Sequence, residues 1–170
     1  MPNLGIHVYK KATAVSIPVV ADSGIPYFVG TAPVHTAAKP GKPNYPILCT
    51  SWDEAVEKLG FSYDWKKYTL CEAMYSHFQL YGAQPAIFCN VLDPADTDMK
   101  KPAESKSYDV VEHRITLPLD TIHEGLKVTT GEDESAAQLQ EDEDYSLFYD
   151  ADKGVCVIEL LEDSASYAAT

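Results

Sequence analysis

Ten residues near the middle of this chain, Asp93-Pro94-Ala95-Asp96-Thr97-Asp98-Met99-Lys100-Lys101-Pro102, are too polar and too rich in turn formers to build a core. They separate two stretches with different hydrophobic periods. Before them, apolar residues recur at helical spacing between short, near-continuous apolar runs. After them the helical period is lost, and β-branched and aromatic residues gather in short segments. Charge divides at the same place: residues 1–100 carry eight lysines and nine acids, a net of −1, and residues 101–170 carry five basic and 17 acidic residues, a net of −12. The expected organisation is an N-terminal arm or first strand over 1–21, an α/β domain over 22–99 and an acidic domain over 100–170. A chain of 170 residues is long enough for these parts to bury real hydrophobic cores.

In the first half, Tyr27-Phe28-Val29-Gly30 and Ala86-Ile87-Phe88-Cys89-Asn90-Val91-Leu92 read as strands buried on both faces. Two helices are expected between them. Ser51-Trp52-Asp53-Glu54 is a capping-box pattern, and Gly60 supplies a left-handed stop after Leu59. Thr69-Leu70-Cys71-Glu72 repeats the capping pattern, with Gly82 at the far end. Leu70, Met74, Phe78 and Tyr81 share one face of that helix, widened by Cys71 and Tyr75, so it is expected to be largely buried. The crossover of such a unit is right-handed. In the second half the expected strands are Tyr108–Leu117, Thr121–Thr129, Tyr145–Tyr149 and Gly154–Leu161. Asp150-Ala151-Asp152-Lys153-Gly154 reads as a hairpin turn with its glycine at positive φ. The expected fold class is therefore α+β: a strand–helix–helix–strand unit on a partial parallel or mixed sheet, then a small antiparallel β-sandwich.

Chemistry is harder to find. An overall charge of −13 disfavours nucleic acid and anionic membranes as partners, and no run approaches the roughly 18 apolar residues of a membrane span. The opening M-P-N-L-G-I-H-V-Y-K-K lacks a secretory pattern, and Cys49, Cys71, Cys89 and Cys156 lie far apart. They read as buried reduced thiols of an intracellular protein. There is no phosphate-cradling glycine loop, serine elbow or zinc spacing among His7, His35, His77, His113 and His123. Gly30-Thr31-Ala32-Pro33 reads as a loop leaving the sheet, and His77 as a hydrogen-bonded interior residue. His77 lies about 240° round the axis from Cys71 on one helix, so the two face different ways and form no dyad. Asp150 and Asp152 resemble the start of a calcium loop, but Lys153 and the early Gly154 favour a turn. The acidic runs Glu132–Glu134 and Glu141–Asp144 read as solvated loops. No catalytic residue, metal or cofactor is expected, and an enzyme is not.

Residues Gly5–Val20 have β character without helical period. Ile6 and Val8 alternate with His7 and Tyr9, while Val15, Ile17 and Val19 share a face, and Pro18 suits an edge position. Such a segment is either the first strand of its own domain or an arm offered to another subunit by strand addition.

The block Asp22-Ser23-Gly24-Ile25-Pro26-Tyr27-Phe28-Val29-Gly30-Thr31-Ala32-Pro33 resembles the N-terminal signature of contractile phage tail sheath proteins. It is followed in order by Pro46-Ile47-Leu48-Cys49-Thr50-Ser51-Trp52-Asp53-Glu54-Ala55, Leu59-Gly60-Phe61, Tyr68-Thr69-Leu70-Cys71-Glu72-Ala73-Met74-Tyr75 and Pro85-Ala86-Ile87-Phe88-Cys89-Asn90-Val91-Leu92-Asp93-Pro94. The ordered series covers residues 22–94. Residues 100–170 resemble, through E-D-E-D-Y-S-L-x-Y-D-A-D-x-G, a β-rich domain that many sheath proteins insert here. The resemblance implies a structural subunit that polymerises as helical rings of its own copies around a tail tube above a baseplate. Contraction then drives the tube through a cell envelope without a nucleotide site. It implies assembly in the bacterial host cytoplasm and residence in the virion tail, or in the related R-type bacteriocins. Ile6, Val8, Tyr9, Val15, Ile17 and Val19 would be the contact residues of an inter-subunit arm. Family members continue into a long α/β region and a C-terminal arm, so residues 1–170 are expected to be the N-terminal part of a longer subunit. The competing expectations are another virion, baseplate or tube component, a β-sandwich interaction module, and, less favoured, a small α/β enzyme.

Overall fold

The computed structural model describes residues 24–131 and 136–162. The arm residues Gly5–Val20 and the acidic run Glu132–Glu134 lie outside them. The chain is α+β, with a mixed sheet in the first half and antiparallel sheets in the second.

The first half is organised around its last strand. β1 (Tyr27–Gly30) pairs in parallel with β3 (Ala86–Asn90), whose other edge takes β2 (Pro46–Cys49) antiparallel. Phe28 of β1, Ile47 and Cys49 of β2 and Ala86 and Phe88 of β3 turn to one side and meet the helices in a core. α1 (Trp52–Leu59) starts as its sequence requires: Ser51 Oγ accepts from Glu54 N at 3.2 Å. The Glu54 carboxylate reaches back to Thr50, accepting from its N–H and hydroxyl at 2.7 Å each. With Lys58 donating to it first, and Thr50 second, Glu54 is pulled down to about 2. Gly60 ends the helix at φ +72°, pressed so close to Pro33 and Thr36 that a Cβ there would collide with both.

The second helix departs from expectation. α2 (Thr69–Met74) is only six residues long, and it continues as a π-helical segment, Tyr75–Leu80. Thr69 does not cap it. Instead Thr69 N donates to Thr31 Oγ1, Thr31 N donates to Thr69 Oγ1, both at 3.1 Å, and Leu70 N donates to Thr31 O at 2.9 Å. The loop leaving β1 thus supplies the cap. Leu70, Cys71 and Met74 are buried, but the wider π turn breaks the helical spacing and Tyr81 leaves the stripe, 80% exposed.

Asn90 closes β3. Its Oδ1 accepts from Ala32 N at 2.9 Å and Leu92 N at 3.0 Å, while its Nδ2 donates to Ala32 O at 3.3 Å and Leu92 O at 3.0 Å. One buried amide therefore satisfies four backbone groups where two neighbouring strands end.

In the second half, β4 (Arg114–Pro118), β8 (Val155–Leu160) and β7 (Tyr145–Asp150) form a sheet in the order β4-β8-β7. β5 (Val128–Thr129) and β6 (Gln138–Leu139) form a ribbon over it. Leu117, Leu139, Tyr145, Cys156, Ile158 and Leu160 are the buried residues of this second core. The hairpin turn between β7 and β8 is as expected, with Gly154 at φ +67°. Two expected strands are shorter. Glu112 and His113 at φ +52° and +61° make a tight reversal that starts β4 only at Arg114. Residues 121–127 are irregular around a turn at Glu124–Gly125, with Gly125 at φ +80°, so β5 begins only at Val128.

Replacing Asn90 by Leu leaves the buried Ala32 N–H and C=O without their side-chain partner. Chemical denaturation should show a loss of at least about 3 kcal/mol, given roughly 1–3 kcal/mol for each stranded buried group.

Candidate functional site

The two halves meet at a joint that brings together residues far apart in sequence. From the first half come His35, on a single turn of 3-10 helix (Val34–Thr36), and the Ser62–Tyr68 loop before α2. From the second come the Pro118–Thr121 segment after β4 and the turn after β7.

Asp120 is the centre. Its Oδ1 accepts from the Tyr68 hydroxyl at 2.6 Å, and its Oδ2 pairs with the Lys67 ammonium. Burial alone would raise the Asp120 carboxyl, but the bonds from Lys67 and Tyr68 outweigh it and hold it below the usual carboxylate range. Tyr68 is pushed far above the ordinary phenol range, by burial first and by its bond to Asp120 second. Beside this pair, His35 Nε2–H donates to Leu119 O at 3.0 Å, which assigns the proton to Nε2. Its ring meets the edge of Tyr149 at 5.7 Å, and the Tyr149 hydroxyl donates to Thr121 O at 2.8 Å. Burial lowers the His35 pKa despite the Leu119 carbonyl and the Asp120 charge, and burial pushes Tyr149 up to about 12. Ala151 of the hairpin turn packs against the first core.

Two clefts flank the joint. One of ≈ 310 Å³ runs between the Ser62–Asp64 loop, Pro118–Asp120 and the Ala151–Gly154 turn, and one of ≈ 160 Å³ lies between His35, Pro43, Pro94 and His123. In the larger, Ser62 Oγ accepts from Asp64 N at 3.1 Å, so this buried serine is spent on a turn. Asp120 is committed to its two donors. The geometry is that of a clamp between two folded units.

The other candidate residues stay apart. Among the described residues, no group of three or more His, Cys, Asp or Glu could hold a metal ion. Asp150 accepts from Lys153 N at 3.0 Å and pairs with its ammonium at 3.2 Å, which makes the Asp150–Gly154 loop the turn that was expected. Cys49, Cys71, Cys89 and Cys156 are all free and buried, and burial pushes the thiols of Cys49 and Cys156 up to about 11 and Cys71 to about 12. His77 was expected in the interior; it is only half buried, its ring meeting the edge of Phe28 at 5.5 Å. Ile6, Val8, Tyr9, Val15, Ile17 and Val19 lie outside the described residues. Sequence reasoning missed His35, Lys67, Tyr68 and Asp120 as a group, since 52 residues separate Tyr68 from its carboxylate. No family model, curated protein or solved structure matches the chain.

His35 has its pKa lowered in the fold, so its stabilising contribution is complete above the unfolded value near 6.5 and is lost as pH falls through the folded value. Asp120, also lowered, gives a second loss below about pH 4. Denaturation midpoints should therefore decline between pH 7.5 and 5.5, and His35→Gln should flatten that decline. Tyr68→Phe at pH 7.5 should cost about 1 kcal/mol, below the roughly 1.5–3 kcal/mol of a bond to a charged group because Asp120 is half exposed and solvent screens it.

Proposed function

We propose that this chain is a structural subunit of a contractile tail sheath, which polymerises around an inner tube and contracts to drive it through a cell envelope. The observation that carries the reading is the ordered motif series from Asp22 to Pro94. The fold is compatible with it: the segments quoted for the resemblance form, in order, a strand, a second strand, a Ser51-capped helix, a buried helix and the central strand. The joint adds a mechanical argument. Asp120, His35 and Ala151 tie the acidic domain to the α/β unit by bonds and packing, so the two can move together when subunits repack. The work in such a device comes from a metastable assembly, which needs no nucleotide site in the subunit.

Its partners are then other copies of itself, the tail tube and the baseplate, in a virion tail assembled in the host cytoplasm. Residues Gly5–Val20 serve as the inter-subunit arm, with Ile6, Val8, Tyr9, Val15, Ile17 and Val19 as contacts. The acidic domain, at −12, faces solvent outside the tube, since like charges packed inward would repel within the roughly 8 Å Debye length of physiological salt.

Electron microscopy of the product of the whole reading frame should show wide striated tubes. Discrete rings, narrow tubes or monomers would instead indicate another virion component, an interaction module or an enzyme. Deletion of residues 1–18 should abolish the tubes while the fold of residues 24–162 persists by circular dichroism. In intact tubes the Glu141–Asp144 loop should remain open to Glu-specific protease; its protection would contradict the outward placement.

A further inference from the structure

The helices cover one face of the β1-β3-β2 sheet; no helix among the described residues covers the other. The register places Tyr27 and Val29 of β1 beside Ile87 and Cys89 of β3, and these beside Leu48 and Pro46 of β2. Tyr27 is 52% exposed, Val29 61% and Leu48 46%. No charged residue stands on this face. A parallel strand pair is ordinarily covered on both sides.

The size of the face selects its occupant. Three strands of four to five residues present a plane of roughly 200 Å² on ordinary strand spacings. A stable interface between two proteins takes about 800 Å² from each partner, so a second copy stacked on this face would be held by too little. One short apolar segment fits. Such a segment is attached at the edge of the face. The Pro26 carbonyl accepts from Ile87 N at 2.9 Å, which fixes the chain alongside β3 just before β1 begins. Residues 21–26 can extend up to ~20 Å, enough to return across three strands. The residues preceding them, 5–20, contain no acid and place Ile6, Val8, Val15, Ile17 and Val19 in alternating β pattern.

We infer that the short apolar stretch 15–19 of this chain docks on the uncovered β1-β3-β2 face of its own domain, where Val15, Ile17 and Val19, on one side of an extended segment, cover Tyr27, Val29, Ile87 and Leu48. This concerns the free chain and does not depend on the sheath reading. Exchange of the same segment onto a neighbouring copy would be a separate event of assembly.

The reporter is a thiol introduced by Val29→Cys, at a position 61% exposed on this face, because the four native cysteines are buried whether or not the face is covered. In the whole 170-residue chain carrying that substitution, maleimide labelling followed by mass spectrometry should find the introduced thiol protected. With Val15→Asp and Ile17→Asp added it should react at least tenfold faster, with the four native thiols still protected. Equal rates in the two proteins would overturn the inference. If the four native thiols also react, the variant has unfolded, and a gentler variant decides: Ile17→Cys added to Val29→Cys, oxidised with diamide at low protein concentration. A disulfide joining the two introduced thiols within one chain supports the docking. Bridges found only between chains, or none, overturn it.

Discussion

β3 is the strand on which the first half depends, and the amide of Asn90 is where that dependence is concentrated. β1 and β2 do not touch each other; each is held by one edge of β3. The chain leaves β1 through Thr31-Ala32 and leaves β3 through Val91-Leu92, and both exits bond to the same buried side chain. A buried amide with every donor and acceptor matched fixes geometry more sharply than apolar packing does, because any displacement strands a polar group away from water. The fixed exit then places Thr31 against Thr69, and so sets where α2 starts.

The same exit leads to the turn that carries His35, so the joint with the second half is positioned by the first half's own sheet. The joint is polar where the two cores are apolar. Tyr68 sits with its ring buried and His35 with its ring part-buried, both with bonded tips, and Asp120 lies at the rim with its charge matched by Lys67. Such an interface is directional: apolar surfaces alone would allow the halves to slide, whereas paired donors and acceptors admit one alignment. Among the described residues, the acids of the second half are exposed or part-exposed, most of them in the turns and loops between its short strands.

Elements set by neighbours in sequence were legible. Ser51, Glu54 and Gly60 bracket α1 through contacts within a few residues, and Asp150–Gly154 makes its turn with its own lysine. The apolar runs of β1 and β3 were read as strands, though the expectation that both faces are buried failed for Tyr27 and Val29. β2 begins with proline and shows too short a pattern to be read; it is a strand because β3 offers it an edge. β6, two residues beside an acidic run, is a strand only through Val128 and Thr129 opposite. Of the candidate site, Asp120 carries no local mark at all.

The sequence by itself therefore determined the fold class, the burial of the four cysteines and the ends of α1. Each follows from side-chain chemistry acting over one or two turns of chain. Tertiary structure alone decided which threonine caps α2, where its helical spacing widens into a π segment, and which carboxylate clamps the halves. The cap and the clamp turn on donors and acceptors separated by 38 and 52 residues, and only the folded chain brings them within 3.1 Å of each other.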